Sequence, residues 1–87
     1  MNNLHSEEAE AKKNFAVQIG KLIQEARYLK RVDQTTLAKR INRSAVYLCD
    51  MERGKKPISS YMLHRIATAL DTQIDIFCIK LKEEHNE

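Results

Sequence analysis

Apolar positions recur at helical spacing along most of this chain. Phe15, Ile19, Leu22, Ile23 and Ala26 fall at steps of four, three, one and three, one stripe of a helix running from Phe15 to Leu29. Upstream, Ser6 followed by Glu7 and Glu8 supplies a hydroxyl cap and acids suited to the positive end of a helix dipole, so the helix has a possible earlier start. Residues 6–14 carry no apolar stripe and are expected to fray or to serve another purpose. Asp33 suits the cap of a second helix, Gln34 to about Ile41, with Leu37, Ala38 and Ile41 inward and Asn42 tolerating the left-handed exit. Ser44 caps a third, about Ala45 to Arg53, which buries Leu48 and Met51 and stops at Gly54. After the loop Lys55-Lys56-Pro57, Ser59 or Ser60 opens a fourth helix with Met62, Leu63, Ile66, Ala67 and Leu70 inward.

The pattern beyond Thr72 has two solutions. Ile74, Phe77, Cys78 and Leu81 share a helical face, whereas Phe77, Ile79 and Leu81 alternate with Cys78, Lys80 and Lys82 as a strand would. The β-branched residues favour the strand. The bundle context and the Glu-rich tail favour the helix, which is the expectation adopted. The chain is thus expected to be all-α, a compact bundle of about five helices.

Composition narrows the class. At 87 residues there is one small core, and folding hides only about 60–65 % of the surface of the open chain. Two Gly and one Pro leave little for the turns of an all-β fold. No apolar run approaches the roughly 18 residues of a membrane span, and the polar, acidic N-terminus does not resemble a signal peptide. A cytoplasmic, nucleoid-associated location is expected. Cys49 and Cys78 have no metal-spaced partners, and His5, His64 and His85 are scattered, so neither a metal site nor a cofactor is expected. Cys49 reads as a small residue on the exposed side of the third helix and Cys78 as core. No nucleophile with a base, Gly-rich phosphate loop or carboxylate pair points to an enzyme.

The net charge of +3 conceals an asymmetry. From Lys12 to Arg65 there are 13 basic residues against 4 acidic ones, whereas the two ends together carry 8 acidic residues against Lys80 and Lys82. A basic body with acidic ends suits a polyanion. It also suits ordinary solvated helix faces, so charge alone does not decide.

Two short helices joined by a tight turn and followed by a basic loop form the helix-turn-helix layout. Gln34-Thr35-Thr36-Leu37-Ala38, Ile41, Ser44, Leu48 and Met51-Glu52-Arg53-Gly54 stand in the order and spacing of the lambda-repressor-like (Xre/Cro) DNA-binding domain, with no gap. The resemblance continues through Ile66-Ala67 and Leu70 and covers about residues 15–77. It divides the chain into a polar N-terminal extension of the first helix (1–14), the helix-turn-helix domain (15–77) and a C-terminal tail (78–87) that is a candidate dimerisation segment.

The resemblance implies roles. Gln34, at the start of the second helix, resembles the glutamine that grips a backbone phosphate, where free N–H groups and the helix dipole favour an anion. The third helix, 45–53, would lie in the major groove. Its outward residues are Ala45, Val46, Tyr47, Cys49 and Asp50, following the cap Ser44. Arg43, Arg53, Lys55 and Lys56 would stand beside phosphates. Arg27 and Glu52 correspond to a pair that ties two helices together and aims the arginine at a phosphate.

The departures are informative. Where the family places polar side chains, Ala45 and Val46 can only lie against thymine methyls, Asp50 can accept from cytosine but repels phosphate, and Tyr47 can meet a phosphate or sugar. Arg43 replaces a small apolar residue. Ser60 and His64, where apolar residues are usual, imply a fourth helix packed around Ile58 and Met62. The expected function is sequence-specific duplex DNA binding with thymine-leaning, shape-dependent readout. The expected form is a homodimeric repressor joined through Ile74, Phe77, Cys78 and Leu81. Two alternatives stay open. One is an antitoxin-type regulator that binds both operator and a small protein partner, a toxin or anti-repressor. The other is a helix-turn-helix turned toward protein alone, with Val46, Tyr47 and Leu48 as its anchor.

Overall fold

The computed structural model describes residues 3–75, with side chains from Glu7 onward. Within them the order is α1 (Asn3–Leu29), α2 (Gln34–Arg40), α3 (Ala45–Glu52) and α4 (Ser60–Ala69), with no strand. The described residues therefore form four helices rather than the expected five. Gln73 to Asp75, where the last segment was to begin as a helix, are neither helix nor strand, and its remainder lies outside the described residues.

Helix α1 begins at Asn3, ahead of Ser6, and runs unbroken through the stretch expected to fray. From Glu7 to Lys13 every side chain except Ala11 is exposed, so tertiary packing does not explain this part. Composition does: Glu, Ala and Lys are among the strongest helix formers.

The local chemistry at the helix ends is unusually uniform. Asp33, Ser44 and Ser59 are N-caps in extended conformation, and each side chain accepts a hydrogen bond from the backbone N–H three residues on: Thr36 at 2.8 Å, Tyr47 at 3.0 Å and Met62 at 3.0 Å. The exits repeat one motif. Val32 N–H donates to the Arg27 carbonyl, Arg43 to Ala38, Lys55 to Asp50 and Thr72 to Ala67, each five residues back, at 2.8–3.0 Å. In each case the preceding residue is left-handed: Arg31, Asn42, Gly54 and Asp71, with φ between 53° and 78°. This is the Schellman closure, which satisfies the last carbonyls of a helix.

The core is Ile19 and Ile23 of α1, Leu37, Ala38 and Ile41 of α2 and its cap, Leu48 and Met51 of α3, and Met62, Ile66 and Leu70 of α4 and its cap. Tyr47, Ile58, Leu63 and Ile74 pack partly against it. Phe15, expected inward, is 38 % exposed, because Ile19 and Ile23 are the residues that α1 turns to the centre. Ser60 and His64 face solvent, while Met62 is buried and Ile58 half-buried.

Two contacts fix the helices against each other. A Cβ on Gly20 would collide with the backbone carbonyls of Met51 and Glu52, so α1 can lie this close to the end of α3 only because residue 20 has no side chain. Arg40 Nη1 donates to the Ala69 carbonyl at 3.0 Å, placing a cation of α2 at the negative end of α4.

Candidate nucleic-acid interface

The helix-turn-helix is α2, the turn from Ile41 to Ser44, and α3. Its inner side is held by apolar burial and by one carboxylate. Glu52, 2 % exposed at the end of α3, receives Arg27 Nε at 2.9 Å on Oε2 and, on Oε1, Arg27 Nη2 at 3.1 Å and Gln34 Nε2 at 3.0 Å. Residues of α1, α2 and α3 therefore meet at a single side chain.

Arg27 is itself only 7 % exposed. Its remaining nitrogen, Nη1, donates to the Val32 carbonyl at 3.2 Å, and its guanidinium stands 5.1 Å from the centre of the Tyr28 ring. The hydrogen bonds to Glu52 hold the guanidinium above its ordinary pKa against the opposing effect of burial. All three of its nitrogens are engaged within the protein, Nε and Nη2 by the Glu52 carboxylate and Nη1 by the Val32 carbonyl, so Arg27 is turned inward rather than aimed at a phosphate. Among the described residues no buried side-chain nitrogen or oxygen lacks a hydrogen-bond partner.

The outer side of α3 is different. Ser44, Ala45 and Val46 are exposed, Val46 at 72 %, while Tyr47, Cys49 and Asp50 are half-buried. Cys49 is therefore less open than its expected place on the exposed side. Arg43, Arg53 and Lys55 are exposed and Lys56 is half-buried. The turn before α3 and the loop after it thus supply cations at both ends of a short helix whose outward residues carry little charge.

These two groups converge on Tyr47. The Arg43 guanidinium lies 5.8 Å and the Lys56 Nζ 5.4 Å from the centre of its ring, both within cation–π range. Arg43 Nη1 also donates to the Asn42 carbonyl at 3.0 Å.

Gln34 is the first residue of α2 and half-buried, with its amide directed to Glu52. Beside it, the Thr36 backbone N–H, and then the Thr36 side chain, draw the Asp33 carboxyl below its ordinary pKa. The Asp33 carboxylate thus caps the N-terminal end of α2, where the resemblance implied a phosphate.

The candidate dimer residues are not brought together here. Ile74 packs partly against the core, and Phe77, Cys78 and Leu81 lie outside the described residues. No described helix is long and apolar enough to cross a membrane, and no described cluster of three His, Cys, Asp or Glu side chains is placed to hold a metal. Sequence reasoning missed the Gln34–Glu52 bond and the pairing of Lys56 with Tyr47. The Arg43–Tyr47 spacing of four was a legible signal, but the return of the loop to the same ring was not.

An all-helical unit whose second and third helices are joined by a tight turn, with a locked inner side and a cation-flanked outer side, is a helix-turn-helix domain. No family sequence model matches the chain, and no curated protein sequence matches it. Among solved structures it is similar to the clp gene regulator ClgR from C. glutamicum, with 30 % identity over 69 % of this chain and 77 % of that one and a TM-score of 0.67. It is also similar to the restriction-modification controller protein C.AhdI from Aeromonas hydrophila, with 33 % identity over 67 % of this chain and 84 % of that one and a TM-score of 0.63. The chain belongs to the lambda-repressor-like (Xre/Cro) helix-turn-helix family.

Proposed function

We propose that this protein is a transcriptional regulator that binds duplex DNA sequence-specifically, with α3 in the major groove, and acts as a homodimeric repressor. The observation that carries this is the division of labour on α3. Leu48, Met51 and Glu52 are buried, while Ala45 and Val46 are presented outward between Arg43 on one side and Arg53, Lys55 and Lys56 on the other. Small apolar residues at the groove floor suit thymine methyls, and flanking cations suit the phosphates of its walls. Asp50 accepts from a cytosine amino group, Ser44 from a neighbouring edge, and Gln34 has a second amide hydrogen for the backbone. Two similar proteins carry the names regulator and controller, which agrees with a regulatory role.

A single unit of this kind covers one half-site, so two copies on an inverted repeat are the natural assembly. Ile74, Phe77, Cys78 and Leu81 are the residues proposed to join them.

The test is selection of bound duplexes from a random pool, followed by titration of the winner at two salt concentrations. An enriched inverted repeat with thymines at the positions facing Ala45 and Val46, and a binding constant that falls by about 0.9 log units per log unit of salt for each phosphate contacted, is the expected result. No enriched motif, with binding indifferent to salt, overturns the proposal.

A further inference from the structure

The contacts of Tyr47 go beyond what groove recognition requires. Its ring sits in the first turn of α3, half-buried and packed partly against the core, which fixes its position. Two cations from different segments stand at that ring: Arg43 from the turn before α3 at 5.8 Å and Lys56 from the loop after it at 5.4 Å. Arg43 is held from a second side by the carbonyl of Asn42, a residue in the left-handed conformation. Neither cation forms an ion pair with a carboxylate among the described residues. Of the acidic side chains on α3, Glu52 is committed to Arg27 and Gln34, and Asp50 makes no ion pair with either cation.

Like charges repel, so bringing two of them to one ring, neither paired with a carboxylate among the described residues, is an arrangement that a bound anion stabilises. The two cations are also complementary. A guanidinium offers a planar fork to two phosphate oxygens, and an ammonium offers a compact charge. We propose that the Tyr47 ring is a positioning post that gathers Arg43 and Lys56 into one phosphodiester-binding pair beside α3. This rests on the DNA-binding function proposed above and assigns the Tyr47 ring a role separate from base reading. The ring, rather than the hydroxyl, does the positioning.

The experiment measures the slope of log binding constant against log salt for the full-length chain, using a labelled duplex of the selected sequence and one of mixed sequence. Arg43→Ala and Lys56→Ala each lower the slope by about 0.9 per bound protomer on both duplexes. Tyr47→Leu, which keeps apolar volume against the core but has no ring, lowers it by at least as much as one of them. Tyr47→Phe, which retains the ring, keeps the parental slope, whatever its hydroxyl adds to affinity. Thermal melting of Tyr47→Leu establishes that the variant is folded, and Tyr47→Ala provides a second ringless side chain.

Weaker binding by Tyr47→Leu with an unchanged slope overturns the proposal, because the tyrosine would then make a contact of its own. Parallel losses of slope in Tyr47→Phe and Tyr47→Leu overturn it as well, because the hydroxyl would be the active group. A parent protein that binds neither duplex, or binds without salt dependence, overturns the DNA-binding function itself. Normal salt-dependent binding by the parent with a neutral Tyr47→Leu overturns the positioning post alone.

Discussion

Replacing Glu52 by alanine tests the node where α1, α2 and α3 meet. The substitution removes the acceptor of three hydrogen bonds and leaves Arg27, 7 % exposed, with the Val32 carbonyl as its remaining hydrogen-bond acceptor. Breaking a buried ion pair from one side costs about 3–5 kcal/mol, most of it the penalty of an uncompensated charge. A chain of this length has a total stability of about 4–13 kcal/mol, so Glu52→Ala consumes a large fraction of it. Removing both charges has a different outcome. Arg27→Met combined with Glu52→Leu takes away the desolvation penalty along with the attraction, and such replacements are often neutral or stabilising. Urea unfolding followed by far-ultraviolet circular dichroism, on the parent, Glu52→Ala, the singles Arg27→Met and Glu52→Leu, and their double variant, gives the full cycle. The double variant is expected to be more stable than Glu52→Ala alone. A loss below about 1 kcal/mol for Glu52→Ala would place the pair with exposed surface bridges and refute the reasoning. So would a double variant whose loss equals the sum of the singles.

Three further outcomes follow from the helix ends and the close crossing. Gly20→Ala drives a methyl group into the backbone of Met51 and Glu52, where no side chain can rotate away, and is expected to destabilise by about 2–3 kcal/mol or more in thermal or urea melts. Arg31→Gly relieves a left-handed backbone at an exposed helix exit and is expected to stabilise by about 0.5–1 kcal/mol net of unfolded-state entropy; a loss in the same melts would contradict the Schellman assignment. Asp33, with its folded pKa lowered by Thr36, contributes stability that is fully present above the ordinary carboxylate range and is lost as pH falls through the folded value. Asp33→Asn should therefore flatten the acid limb of a stability–pH curve below about pH 4, and an unchanged limb would count against the cap.

The sequence was most legible where local chemistry and burial agree. Asp33 and Ser44 sit one residue ahead of helices whose apolar positions have the right period, so α2 and α3 were located to within a residue at each end, and Asn42 and Gly54 marked their exits. Arg31 performs the same service without a local signal, because arginine does not advertise a left-handed backbone, whereas Asp71, of a type that tolerates one, is a weak signal beside Asn42 and Gly54. The early part of α1 was obscured by the search for an apolar stripe. Its helical character lies in Glu, Ala and Lys, and its exposure removes the pattern that burial would have left. Phe15 was misplaced because spacing identifies a stripe without saying how far the core extends along it. At the candidate interface, the cations were visible as residues, but their meeting at Tyr47 depends on how the loop after α3 folds back. That return is set by the Gly54 turn and long-range packing rather than by any local signal. Gln34 was noticed for its position at a helix start, whereas its actual partner lies 18 residues away.

The arrangement of α3 also bears on how such a protein can change. Leu48, Met51 and Glu52 carry the structural obligations of the helix, while Ala45 and Val46, exposed beside them, carry almost none. Mutation at those outward positions is therefore nearly free of stability constraint, and a lineage built on this scaffold can drift to new targets without passing through unfolded intermediates. The locked residues give the domain its inheritance, and the open ones give it room to diverge.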